Sequence, residues 1–193
     1  MMKHVTIVIA LLALAGWGKE NPVTDESTPH EESPGVGLRQ IALSTPPSKL
    51  GFISDADFPT VYGVLTDWDI GGVTATVMSM RDGTASLYTT SSFGIIGGHG
   101  HENVRKAAVR YVKTAEQFGA SGKPVTEFPY PKSGQVFYYL LTYNGVRLVI
   151  GDEGAIGHGS DPTSPLFAAA QDVLTELRLM AEKGNAQPSD AGD

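Results

Sequence analysis

The 193-residue sequence contains no cysteine, which removes disulfides, thiolate metal sites and a cysteine nucleophile from consideration. It has no run in which Lys and Arg cluster, and a formal net charge of −7, so it lacks the electrostatic footprint of a nucleic-acid-binding protein. Nucleic acid is not an expected partner. No apolar stretch approaches the roughly twenty residues that a membrane-spanning helix needs. There is no Gly-x-Ser-x-Gly elbow and no Gly-x-Gly-x-x-Gly fingerprint, so serine hydrolase and dinucleotide chemistry have no local support, and no cofactor is expected. The nearest imitation of a P-loop, Gly119-Ala120-Ser121-Gly122-Lys123-Pro124, follows a predicted helix where a strand is required.

What is present begins with the termini. Met1-Met2-Lys3-His4 is a short basic start, residues 5–14 are apolar, and Ala13-Leu14-Ala15 offers the small-x-small pattern of signal peptidase. Residues 1–15 therefore read as a signal peptide, and the mature chain is expected to be exported to the periplasm or cell envelope. Leu14-Ala15-Gly16 also resembles the start of a bacterial lipobox, but Trp17 stands where the acylated Cys belongs. Lipid anchoring is excluded for the sequence as written. Residues 16–37 are rich in Pro, Ser, Thr, Asp and Glu and too poor in large apolar groups to offset ordering entropy, so a disordered acidic linker is expected. Residues 185–193 read as a flexible tail, leaving 38–184 as a single domain.

Within that domain, residues 38–59 read as an irregular arm with one short strand near 40–43, broken by Pro46-Pro47. Three meander strands follow at 61–69, 73–80 and 84–90, separated by Gly71-Gly72 and Asp82-Gly83 turns. A helix is predicted over 101–118, with Val104, Ala107, Ala108, Val112, Ala115 and Phe118 on one face. Residues 135–143 and 146–152 form a hairpin around Asn144-Gly145. A last helix runs from 162 or 165 to 183, capped by Asp161 or Ser164, with Leu166, Ala170, Val173 and Leu177 in its apolar stripe.

The order β-β-β-α-β-β-α predicts an α+β fold with a five-stranded, mainly antiparallel sheet and two helices on one face. Residues 136–141 are apolar on both faces, so that strand should be central and covered on each side. Helices account for one side only. The other side needs the 38–59 arm, a small ligand, a protein partner or a second copy, and this vacancy points to a binding or interaction module. The element order resembles a permuted roadblock or profilin-like sandwich, which implies an interaction or sensory role.

The most informative internal feature is an echo: Gly94-Ile95-Ile96-Gly97-Gly98-His99-Gly100 returns as Gly154-Ala155-Ile156-Gly157-His158-Gly159, each between a hairpin and a helix. The candidate ligand-binding residues sit on these loops: Gly97, Gly98, His99, His101 and Glu102 on the first, Gly157, His158 and Asp161 on the second. Were the loops adjacent, His101 and His158 with nearby carboxylates would make an enzymatic or metal-binding site, and glycine backbone before a helix could hold an anion. The His-x-His spacing lacks the register that fixes two metal ligands on one helical face, so no metal is expected. The simpler reading is that His101 and Glu102 begin a helix, with Glu102 at the positive end of its dipole. Asp67 and Asp69, and Asp152 and Glu153, read as solvated strand-end carboxylates, and Tyr138, Tyr139 and Tyr143 as sheet-packing rings.

The phrase Asp82-Gly83-Thr84-Ala85-Ser86-Leu87-Tyr88, continued by Gly94-Ile95-Ile96-Gly97-Gly98 and His101-Glu102-Asn103-Val104-Arg105, resembles an uncharacterised bacterial family of exported, lipoprotein-like proteins. The resemblance covers residues 62–112. It implies a bacterial source and carries over no known activity, cofactor or catalytic residue.

Overall fold

The computed structural model describes residues 33–91 and 94–186. The expected signal peptide, nearly all of the expected linker and the expected tail from 187 lie outside them. Element bounds are α1 (Pro34–Ser44), β1 (Val61–Ile70), β2 (Val73–Met80), β3 (Ala85–Thr89), β4 (Gly94–Ile95), α2 (Glu102–Glu116), β5 (Lys123–Val125), β6 (Gln135–Thr142), β7 (Gly145–Asp152), α3 (Glu153–Gly157) and α4 (Ser164–Ala186).

The fold is α+β, and the sheet is antiparallel throughout, in the order β4-β3-β2-β1-β6-β7-β5. It has seven strands, not the five expected. The additional two are edge strands of two and three residues. One lies inside the first glycine loop and the other contains Pro124, and neither is long enough to show alternation in sequence. As expected, β6 lies centrally, between β1 and β7. Its residues divide by the two-residue period: Val136, Tyr138 and Leu140 enter one core, Phe137, Tyr139 and Leu141 the other.

The first core is the larger. Val104, Ala107, Ala108, Tyr111, Val112 and Ala115 of α2 and Leu166, Ala170, Val173 and Leu177 of α4 pack on Val61, Val64 and Trp68. Trp68 meets Phe167 edge to face, with centroids 5.9 Å apart. Both expected helices thus cover the same face, and their small residues let them approach it closely.

The opposite face is where expectation and structure diverge most. Residues 34–44, expected as linker end and irregular arm with a strand at 40–43, form the helix α1. Pro34 is suited to its first turn, and the chain leaves the helix at Thr45, before Pro46. Leu38, Ala42 and Leu43 come together at helical spacing and join Tyr62, Leu65, Met78, Tyr88, Phe137, Tyr139 and Leu141 in a second core. Phe52 and Phe128 extend this cover, Phe52 meeting Tyr62 at a tilt with centroids 5.9 Å apart and Phe128 meeting Tyr139 edge to face at 5.7 Å. Of the occupants considered for the second face, the arm covers part of it.

Candidate functional site

The two glycine loops do not form a common site. The first contains β4 at one sheet edge; the second, expected as a loop but with Gly154 to Gly157 in the short helix α3, follows β7, five strands away in sheet order, a displacement of about 24 Å at the usual strand spacing. The helices reinforce this separation. A side chain on Gly98, just before α2, would meet Leu177 late in α4, and His101 lies beside Glu176, Met180 and Lys183. The helices are therefore antiparallel, and Glu176 is about 18 Å along α4 from Ser164. His101 and His158 belong to opposite ends of the layer.

Each loop residue has a local role. Gly97 adopts φ +90°, a left-handed conformation that glycine accepts without steric cost. Gly98 is buried, and a Cβ there would lie 2.6 Å from Val104 Cγ1 and 2.9 Å from Leu177 Cδ2, so its smallness permits helix packing. His99 is exposed, its Nδ1 3.4 Å from Thr84 Oγ1, and its carbonyl accepts from Arg105. His101 occupies the cap position of α2 without a capping side-chain hydrogen bond. Glu102 opens that helix and pairs with Lys106 at 2.7 Å, a contact that holds its carboxyl below the usual range.

In the second loop Gly157 ends α3 in open space and His158 is exposed beside it. Asp161 is structural: it accepts from the Thr163 amide at 2.7 Å, the Thr163 hydroxyl at 2.6 Å and the Asp152 amide at 2.9 Å. Partial burial acts to raise its carboxyl, but these bonds prevail and hold it below the ordinary range. Asp152 caps α3 through the Ala155 amide. Among the described residues no group of three His, Asp or Glu is placed to hold a metal ion.

The second sheet face carries the features that sequence reasoning missed. Asp67, expected as a solvated strand-end carboxylate, is wholly buried in mid-strand, and Arg39 of α1 is only 3% exposed. Arg39 donates to Asp67 Oδ2 from Nε at 2.9 Å and from Nη2 at 2.5 Å. Its remaining donors reach the carbonyls of Phe128 at 3.0 Å and Pro129 at 3.3 Å, and its guanidinium lies 4.2 Å from the Tyr130 ring centre. Thr76 donates to the other Asp67 oxygen at 2.6 Å. Burial pushes the Asp67 carboxyl up, against the opposing pull of Arg39 and Thr76. Tyr139, which donates to the Pro129 carbonyl, is pushed up to about 12 by burial. One cation thus ties α1 and the 128–130 segment to the sheet.

The signal was available in part. An Asp inside the strand-forming run 61–70 must face solvent or find a buried partner, and the period of two puts it on the face opposite Trp68. Nothing local identified Arg39 as that partner.

Beside this latch, α1 leaves part of the face uncovered. Leu38, Ile41, Ala42, Leu50 and Phe52 form one wall of a groove, Met78, Met80 and Tyr88 its floor, and Thr45, Asp82 and Thr84 its polar rim; its volume is about 240 Å³. Ile41 is 61% exposed at its lip. Among the described residues no helix is long and apolar enough to cross a membrane. The chain matches no protein-family model, no curated protein and no solved structure.

Proposed function

We propose that this chain is an exported binding module of the periplasm or cell envelope, and that its binding surface is the groove beside α1. The observation that carries this reading is the coincidence of a methionine-floored apolar groove with solvated aliphatic side chains at its lip, Ile41 and Leu50. The occupant is an apolar side-chain anchor of a partner protein. A volume near 240 Å³ is below the roughly 300–1,000 Å³ of small-molecule sites and suits one or two large side chains. Met78 and Met80 have the unbranched, adaptable shape that accepts different anchors. Full burial of one aliphatic side chain is worth about 1.5–3 kcal/mol, so contacts beyond the groove must add to it.

The element order read from the sequence suggests a roadblock or profilin-like sandwich, an analogy that favours an interaction role, and the Ala13-Leu14-Ala15 pattern supports export. Sequencing the mature N-terminus tests the latter, with Gly16 the expected first residue. For the groove, anilinonaphthalene sulfonate serves as the apolar probe. The folded chain should enhance its fluorescence, and Ile41→Asp should abolish most of that enhancement without lowering Tm. Equal fluorescence in both proteins contradicts the proposal.

A further inference from the structure

Four cations that the sequence intersperses with core residues meet on one side of α2. Arg105, Lys106, Arg110 and Lys113 are separated by the buried Ala107, Ala108, Tyr111 and Val112, yet share the outer side of the helix around Val109. With Asp82 and Glu102 they line an open depression of about 500 Å³, within the usual size of a small-ligand site. The expectation that Lys and Arg do not cluster therefore holds along the sequence and fails in space.

Neighbouring groups hold three of these side chains without neutralising the strip. The Arg105 stem lies against Gly83, where a Cβ would come 2.8 Å from Arg105 Cβ, and its Nη1 donates to the uncharged His99 carbonyl at 2.9 Å. Its Nε and Nη2 make no hydrogen bond among the described residues. Lys113 lies over the Phe58 ring, 5.6 Å from its centre, and pairs with Asp57 at 3.5 Å, while Lys106 pairs with Glu102 at 2.7 Å. Both ion pairs are exposed and of little strength. Among the described residues Arg110 has no ion-pair partner.

The carboxylates limit what can bind. Glu102 and Asp82 stand at the Arg105 end of the strip and Asp57 beside Lys113 at the other, and Arg105 and Lys113 are about 12 Å apart along the helix. A long polyanion laid on α2 would run past these cations onto like charge, in a chain whose formal charge is −7. A compact anion would not. Two guanidinium forks beside two ammonium groups suit an anion that carries several oxygens and more than one charge on a small centre, which a single carboxylate does not offer. We propose that this depression is a binding site for a phosphomonoester or diphosphate group, carried either by a soluble molecule or by a lipid headgroup. Arg105, already fixed at its stem, and Arg110 supply the forked donors, and Lys106 and Lys113 close on the remaining oxygens. Glu102 and Asp57 release their lysines to the stronger anion. The site requires neither the apolar wall of the groove beside α1 nor export of the chain.

Titration of the full chain with inorganic pyrophosphate, followed through backbone amides, tests the site. The amides of Arg105, Lys106, Arg110 and Lys113 should shift in a saturable manner, and sodium chloride at matched ionic strength should not reproduce the shift. Arg110→Gln, at an exposed position, should weaken binding about tenfold, the loss expected for one charge-assisted hydrogen bond. Arg178→Gln, which removes an exposed cation of α4 outside the strip, should leave it within about twofold. Cosedimentation with phosphatidic acid vesicles, against phosphatidylcholine vesicles, separates the two sources. Binding lost in Arg110→Gln assigns the headgroup, and no vesicle binding beside a positive pyrophosphate titration assigns a soluble ligand. Unmoved α2 amides, a response that sodium chloride reproduces, or equal weakening by Arg110→Gln and Arg178→Gln each overturn the proposal.

Discussion

Arg39 and Asp67 lie 28 residues apart in sequence and meet inside the second face of the sheet, Nε 2.9 Å from Oδ2. Through this pair α1 becomes part of the domain. Asp67→Asn leaves a buried guanidinium without its counter-charge and should cost about 3–5 kcal/mol in denaturant unfolding. Arg39→Met differs, because the carboxyl that remains is already raised by burial and can take up a proton. A carboxyl whose folded pKa exceeds its unfolded value contributes most below about pH 4, and that contribution is lost as pH rises through the folded value. Arg39→Met should therefore be least destabilised in acid and progressively more so towards neutrality. Urea unfolding across this range checks the sign.

The two echoing loops respond differently to alanine. Gly98→Ala places a methyl group against Val104 and Leu177 and should cost about 1–3 kcal/mol. Gly157→Ala meets open space at the end of α3 and should be neutral or stabilising by up to about 1 kcal/mol. Thermal denaturation of the two variants distinguishes the packing glycine from the permissive one.

Because His101 and His158 belong to opposite ends of the helical layer, their alanine substitutions should be additive within about 0.5 kcal/mol. Zinc should leave the Tm of the wild-type protein unchanged, and likewise that of the doubly substituted one. A zinc-induced rise confined to wild type would restore a shared site.

Asp161 stabilises the chain where it enters α4. Its carboxyl is held low in the fold, so its contribution is present above the unfolded value near pH 4 and is lost as pH falls through the folded one. Asp161→Ala should cost about 0.5–2 kcal/mol at neutral pH, and the difference from wild type should vanish in strong acid. Paired pH–stability curves measure this.

The legible parts of the fold were those with a local cause. Helices α2 and α4 declared themselves by apolar spacing, β6 and β7 by Asn144-Gly145, and the central place of β6 by its apolar residues on both faces. Residues 34–44 were misread because two glycines and a nearby proline pair mask an apolar stripe whose purpose is tertiary. Edge strands β4 and β5 have two and three residues and owe their extended form to a neighbour. The second glycine segment, expected as a loop, has Gly154 to Gly157 in the short helix α3, and whether the two segments meet depended on strand order. Arg39 with Asp67, and the basic face of α2, were illegible for the same reason: each is created by elements coming together.

The groove beside α1 is tested most directly by the ε-methyl resonances of methionine. Met78 and Met80 form its floor, and Met180 packs against the other core. On titration with anilinonaphthalene sulfonate, Met78 and Met80 should shift in a saturable manner, Met180 should stay fixed, and Ile41→Asp should suppress the response. Unmoved Met78 and Met80 signals, or equal movement of Met180, would contradict a binding surface at this groove.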